Sequence, residues 1–183
     1  MNDSTTPTAD ERVAQTIDNV CAVIPDYPEP GIIFRDLTPM FADGAAFREV
    51  IDALLQRFEG KFDVIAGVEA RGFLLASAAG YAAGVGVMPV RKEGKLPRET
   101  YSESYSLEYG TATLEIHRHD IPVGSRVLIL DDILATGGTL GATVRLMGRA
   151  GLTVAGIGVV MELDGLSGRS NLAGQTVEAL YTV

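Results

Sequence analysis

The chain has 183 residues, of which 46% are hydrophobic and 21% charged, enough apolar material for one domain with a buried core and too much for global disorder. Its net charge of −9 excludes a general nucleic-acid binder, which shows a basic footprint. A single cysteine, Cys21, rules out an internal disulfide and fits a reducing compartment.

The opening "MNDSTTPTAD" has no basic stretch followed by an apolar one, so no signal peptide is expected; residues 1–10 read as a flexible tail. Val13, Ile17, Val20 and Ile24 then follow helical spacing, with Cys21 in the same apolar pattern. "PDYPEPGIIFRDLTP", Pro25 to Pro39, is a stiff proline-rich connector with an apolar-aromatic centre. Asp43 is placed to cap a helix that buries Phe47, Val50, Ile51, Leu54, Leu55 and Phe58. "DVIAGV", Asp63 to Val68, reads as a buried strand ending in "EARG". The uncharged run Phe73 to Val90 approaches membrane-spanning length, but its glycines, Tyr81 and Pro89 favour a buried helix from Ala70 to Ala83 and a strand from Val85 to Val90.

Residues 91–110 form a long polar excursion, basic at first and then rich in Ser and Tyr; loops of that length are functional or disordered. "TATLEI", Thr111 to Ile116, alternates as a half-exposed strand, and the His117–His119 pair after it reads as a surface strand end rather than a metal site. "RVLIL" is a strand with a helix beyond it, "VAGIGVVMEL" another strand and "TVEALYTV" the last. Strands alternating with helices predict an α/β fold: one domain over residues 1–183, with a mostly parallel sheet flanked by helices. Ligands of such folds bind at the carboxyl ends of the strands. "EARG", "RKEGKLPRE" and "DDILATGGT" leave those ends.

The last of these stretches carries the most chemistry. In "VLILDDILATGGT", Val127 to Thr139, an apolar strand runs into Asp131 and Asp132 and then into a turn through Ala135, Thr136, Gly137, Gly138 and Thr139. A glycine-rich turn between strand and helix leaves backbone N–H groups converging with the helix dipole, an anion site suited to a phosphate monoester. No lysine occurs in the turn, so it is not the G-x-x-x-x-G-K-[ST] loop. Carboxylates repel phosphate; a ribose diol, whose hydroxyls donate, is their natural partner. Phosphate plus diol describes a ribose 5-phosphate unit.

This stretch resembles the phosphoribosyl pyrophosphate signature of the type I phosphoribosyltransferases. "PGIIFRDLTP", "GVEARGFLLA", "RKEGKLP", "SYSLEYGTATLEIH" and "VVMEL" are similar, in the same order, to the adenine-specific members. The likeness runs from about Pro25 to Glu162; Glu93 departs from it, standing where proline or a basic residue is expected. The resemblance implies the type I fold with a small hood and a mobile lid, here residues 92–110, a homodimer, and transfer of ribose 5-phosphate from phosphoribosyl pyrophosphate to adenine, a purine-salvage reaction in the cytoplasm. Arg71, Arg91, Lys92 and Lys95 are then expected to neutralise pyrophosphate, with Mg²⁺ held mainly by substrate oxygens and no direct protein ligand. Glu108 is the expected proton-transfer group and Tyr109 its neighbour at the reaction centre, with Arg71 also counted as catalytic. Phe34 and Leu163 are expected to sandwich the base, and Ile33 and Arg35 to offer backbone groups to its edge.

Three readings stay open: transfer to adenine, transfer to a 6-oxopurine or orotate, or a regulator that binds phosphoribosyl pyrophosphate without catalysis. Two features favour adenine. A carbonyl near Ile33 can accept from an exocyclic amine. "MELDGLSGR" holds no lysine to donate to a 6-oxo group, and its carboxylates would repel one.

Overall fold

The computed structural model describes residues 8–106 and 110–183. Helix α1 spans Ala9–Val20, α2 Thr38–Ala42, α3 Gly44–Arg57, α4 Gly72–Ala83 and α5 Gly138–Arg149. The strands are β1 Ala22–Pro25, β2 Ile33–Asp36, β3 Val64–Val68, β4 Gly86–Lys92, β5 Thr100–Ser106, β6 Thr111–His117, β7 Arg126–Leu134, β8 Thr153–Glu162 and β9 Val177–Thr182, with a 3₁₀ turn at Gly168–Leu172. Seven strands form the main sheet in the order β5-β6-β4-β3-β7-β8-β9. From β4 to β9 the neighbours are parallel, and β6 and β5 continue the sheet antiparallel. The predicted α/β class and mostly parallel sheet are what the chain adopts.

The central strands are buried for the reason their sequences suggest. Every residue of β3 is buried, and Val127 to Leu130 of β7 are fully so, as both faces of a parallel sheet require. One core cluster packs α1, α3 and α4 on one face, with Phe58, Leu54 and Ile17 fully buried. A second packs α5 on the other, around Leu140, Leu146 and Met147. Asp43 caps α3 as expected, accepting from the N–H groups of Ala45 (2.9 Å) and Ala46 (3.1 Å). Cys21 lies in the first cluster.

Four expectations need correction. Residues 8–10 are the start of α1 and its cap, not a tail: Thr8 and Glu11 close a capping box, and Asp10 meets Arg57 at 2.8 Å. Helix α1 stops at Val20, and Ile24, expected on its apolar face, is a partly exposed residue of β1. The connector 25–39, read as too stiff for a casual linker but without a strand, carries β2, which pairs with β1 as a two-stranded antiparallel ribbon, the hood, detached from the main sheet. The polar excursion 91–110 is not one loop either. Residues 100–106 form β5, paired along its whole length with β6. Its Tyr, Ser and Glu alternate in strand fashion. Tyr101 and Tyr105 pack on the second core, while Thr100 and Ser102 donate to the buried Glu115. Irregular backbone remains at residues 93–99.

Candidate active site

The carboxyl ends of β3, β4, β7 and β8 meet at one edge of the sheet, and the chemistry is concentrated there. The sequence places Asp131 and Asp132 just after a strand; in the structure they lie within β7, which runs on to Leu134. Asp132 is buried and Asp131 half-buried. Arg71, at the start of α4, brings its Nε to 2.5 Å from Asp132 Oδ2. The contact is one of charge, since that oxygen has no hydrogen-bond partner. Asp131 Oδ1 accepts the N–H of Asp132 at 2.9 Å. Burial first, and the neighbouring charge of Asp132 second, push the Asp131 carboxyl well above its usual range. Two adjacent carboxylates held this way are poised for hydroxyl donors or a cation.

Beyond them the turn 135–137 opens into α5. A cavity of about 100 Å³ is formed there by Asp131 and residues 133–140. Gly137 has φ 75°, a left-handed conformation suited to glycine. Helix α5 has no side-chain cap, whereas Thr8 caps α1 and Asp43 caps α3. Its first N–H groups are therefore left for an anion. The 3₁₀ turn supports this cradle from below: Asn171 Nδ2 donates to Thr136 O at 2.7 Å. Gly137 and Gly168 cross closely enough that a Cβ on Gly137 would meet Gly168 O at 2.3 Å. Neither Asn171 nor Gly168 is marked by local sequence, because each acts 30 or so residues away from the turn that it supports.

The basic residues gather on the adjoining ends. Helix α4 also lacks a side-chain cap, and its Gly72 is wedged against β7, where a Cβ would meet Leu130 O at 2.7 Å. Arg91 lies 3.5 Å from Glu69 Oε2, and its Nη1 donates to Lys95 O at 3.2 Å. Lys92 ends β4 with its side chain exposed, and its N–H donates to Glu69 Oε2 at 2.9 Å. Lys95 is exposed on the loop. Glu69, not singled out in the sequence, thus holds the basic loop in register. Arg98 in that loop is turned away, paired through two 2.7 Å bonds to Asp120. Glu93 is exposed, and its N–H joins β6 through Thr113 O.

The expected base slot is spread over two elements. Ile33, Phe34 and Arg35 lie on β2, whose outer edge leaves half of its backbone groups unpaired. Phe34 meets Tyr27 edge-on at 5.2 Å between ring centres. The Arg35 side chain is turned to Asp18 at 3.7 Å. Leu163, just after β8, packs on the core, and its N–H bonds Leu134 O. The Glu162 carboxylate, expected to repel a 6-oxo group, is engaged by three Arg169 bonds of 2.7–3.0 Å, so its charge is not free to do so. Glu108 and Tyr109 lie outside the described residues. Among the described residues, no three His, Cys, Asp or Glu side chains converge as a metal cage. Grooves of about 450 and 480 Å³ beside α3, and one of about 670 Å³ between α1 and α3, hold none of this chemistry.

The model of the phosphoribosyl transferase domain family matches residues 40–176. An adenine phosphoribosyltransferase of Renibacterium salmoninarum is 65% identical over 170 residues, covering 93% of each chain. The solved adenine phosphoribosyltransferase of Thermoanaerobacter pseudethanolicus superimposes with a TM-score of 0.88 at 46% identity, over 93% of this chain and 99% of that one. That of Saccharomyces cerevisiae, solved with adenine and an imino-altritol bisphosphate, gives 0.87 at 41% identity, over 92% and 98%. With an anion cradle beside an acidic pair in the type I fold, the chain belongs to the phosphoribosyltransferase family, on its adenine phosphoribosyltransferase branch.

Proposed function

We propose that the protein transfers the 5-phosphoribosyl group from phosphoribosyl pyrophosphate to adenine, giving AMP and pyrophosphate. One observation carries the reading: the acidic pair and an uncapped helix N-terminus leave the same strand end, with Arg71 against the pair. The cradle 135–139 takes the 5-phosphate, and Asp131 and Asp132 accept from the ribose hydroxyls. Arg71, Arg91, Lys92 and Lys95 receive the pyrophosphate.

In the reaction the C1–O bond to pyrophosphate breaks, and a ring nitrogen of adenine forms the new bond to C1 and loses its proton. Glu108 is the group we assign to that proton. Positive charge builds on the ribose meanwhile, so water must be excluded; the segment 92–110, of which residues 93–99 are irregular and 100–106 belong to β5, is the covering element, and Tyr109 is assigned with Glu108 to the reaction centre. Phe34 and Leu163 bound the base, and backbone groups of Ile33 and Arg35 read its edge. The donor set suits Mg²⁺ carried on the substrate, with Asp131 and Asp132 within reach through water. When bound, the ion neutralises the leaving pyrophosphate.

A homodimer in the cytoplasm completes the reading. Leu74 and Tyr81, two turns apart on α4, and Val87 beside them present exposed apolar surface (50%, 92% and 39%) that a second copy would cover. No helix among the described residues is long and apolar enough to cross a membrane.

The test is pyrophosphate release with phosphoribosyl pyrophosphate, Mg²⁺ and each of adenine, hypoxanthine, guanine and orotate. Adenine is expected to be preferred by a factor on the order of 10⁴ where the site is built around one buried hydrogen bond. Comparable turnover of hypoxanthine overturns the base assignment. Inactivity of the folded protein with every base leaves a binding regulator.

A further inference from the structure

Strand β5 is locked onto the helix that carries the phosphate cradle, more firmly than its exposed sequence requires. Glu103 is 7% exposed, and its two oxygens meet Arg145 Nε at 2.7 Å and Arg149 Nε at 2.8 Å. These arginines lie one turn apart on α5. Arg149 also donates to Ser102 O at 3.0 Å. A buried carboxylate with a cation against each oxygen, one through a hydrogen bond and the other through charge alone, ties the strand to the helix.

Two residues further along the same strand face, Tyr105 reaches the first turn of α5. Its hydroxyl lies 3.1 Å from Thr139 Oγ1. Its ring lies against the cradle: a Cβ on Gly138 would stand 3.6 Å from Tyr105 Cδ2. Resting on the function proposed above, we infer that Tyr105 is a positioning residue, which donates to Thr139 Oγ1 and so turns the Thr139 proton towards the 5-phosphate. Each hydroxyl has one proton and two lone pairs. A phosphate monoester offers the pair mainly acceptors. Thr139 lines the cavity itself, so the order Tyr105 O–H to Thr139 O–H to phosphate uses both protons with the threonine next to the ligand, and each bond in such a chain strengthens the next.

The experiment measures binding of ribose 5-phosphate by titration calorimetry, together with KM for each substrate. It uses the wild type, Tyr105→Phe, Thr139→Val and the double variant; Thr139→Ala replaces the valine variant should that not fold. Tyr105→Phe is expected to weaken ribose 5-phosphate binding on the order of 3–10-fold and to raise KM for phosphoribosyl pyrophosphate alike. KM for adenine and the melting temperature stay at wild-type values, and on the Thr139 variant the phenylalanine adds nothing. Unchanged binding in Tyr105→Phe, or an equal loss on the Thr139 variant, overturns the inference while leaving the function intact. A wild type that does not bind ribose 5-phosphate overturns the inference too, whereas the function itself falls only if pyrophosphate release is absent with every base.

Discussion

Strands β3 and β7 lie side by side, and an arginine–aspartate contact joins the region at each end of the pair. The two contacts have opposite characters. At the amino ends, Asp63 accepts from the Arg126 N–H at 2.9 Å, Nε at 3.1 Å and Nη2 at 2.6 Å, while Arg126 Nη1 donates to Gly60 O. Those bonds hold the Asp63 carboxyl down at about 2. At the carboxyl ends, Arg71 touches Asp132 through a single ion contact, and Asp131 beside it is pushed up by burial and by its neighbour's charge. The same residue types close a structure where every donor and acceptor is matched. Where some are left over, they make a site for a ligand that brings the missing partners.

Breaking the leftover contact should have the largest effect. Arg71→Gln removes a cation from the pyrophosphate side and leaves two carboxylates facing each other. It should lower kcat/KM for phosphoribosyl pyrophosphate on the order of 10²–10³-fold. A loss below tenfold in steady-state kinetics would take Arg71 out of the reaction.

Asp131→Asn sharpens the contrast, because function and stability should move in opposite directions. Asparagine keeps an oxygen for the Asp132 N–H but loses the charge, so KM for the ribosyl substrate should rise on the order of 10–100-fold. The ligand-free protein should melt at a higher temperature, since the repulsion within the pair is gone. The pH dependence follows in sign. With its folded pKa raised, Asp131 binds more protons in the native state than in the unfolded one. Wild-type stability therefore falls as pH rises from the ordinary carboxylate value through the raised one. Urea melts across that window should show the slope in the wild type and lose it in the variant.

Asp63→Asn should have the smallest effect on catalysis and the reverse effect on the fold: unchanged kcat and KM, and a modestly lower melting temperature. Asp63 has a depressed folded pKa, so its contribution is present above about 4 and fades as pH falls towards about 2. Altered kinetics in this variant would show that the two ends of the strand pair are not independent.

The parts of the fold legible in the sequence are those whose cause is local. Val127 to Leu130 and Val64 to Val68 read as buried strands because unbroken apolar runs of that length suit only a covered sheet. The Asp43 cap is likewise visible within three residues. The cradle is legible because Gly137 and the uncapped helix it opens are one stretch of chain. What escapes is long-range. Strand β5 is disguised by its polar residues, whose burial depends on Arg145, Arg149 and Glu115 far along the chain. The helical spacing from Val13 to Ile24 overruns because nothing local announces that β2 will pair with Ala22–Pro25. The supporting roles of Glu69 and Asn171 emerge only when the loops they hold are placed beside them.

The crossing of Gly137 over Gly168 bears on attempts to redesign this protein. Residues 163–172 begin at Leu163, which the proposed function sets against the base, and within ten residues form the underside of the turn 135–137 through Gly168 and Asn171. A graft of this segment from a protein that takes another base would carry its own spacing under the turn, where a Cβ on Gly168 would already meet Ala135 O at 2.2 Å. On that reading, base preference and phosphate grip lie next to each other on one short piece of chain, and an exchange of the first disturbs the second once it reaches Gly168. A graft that ends before Gly168 is the one that leaves the ribosyl half of the molecule as it was.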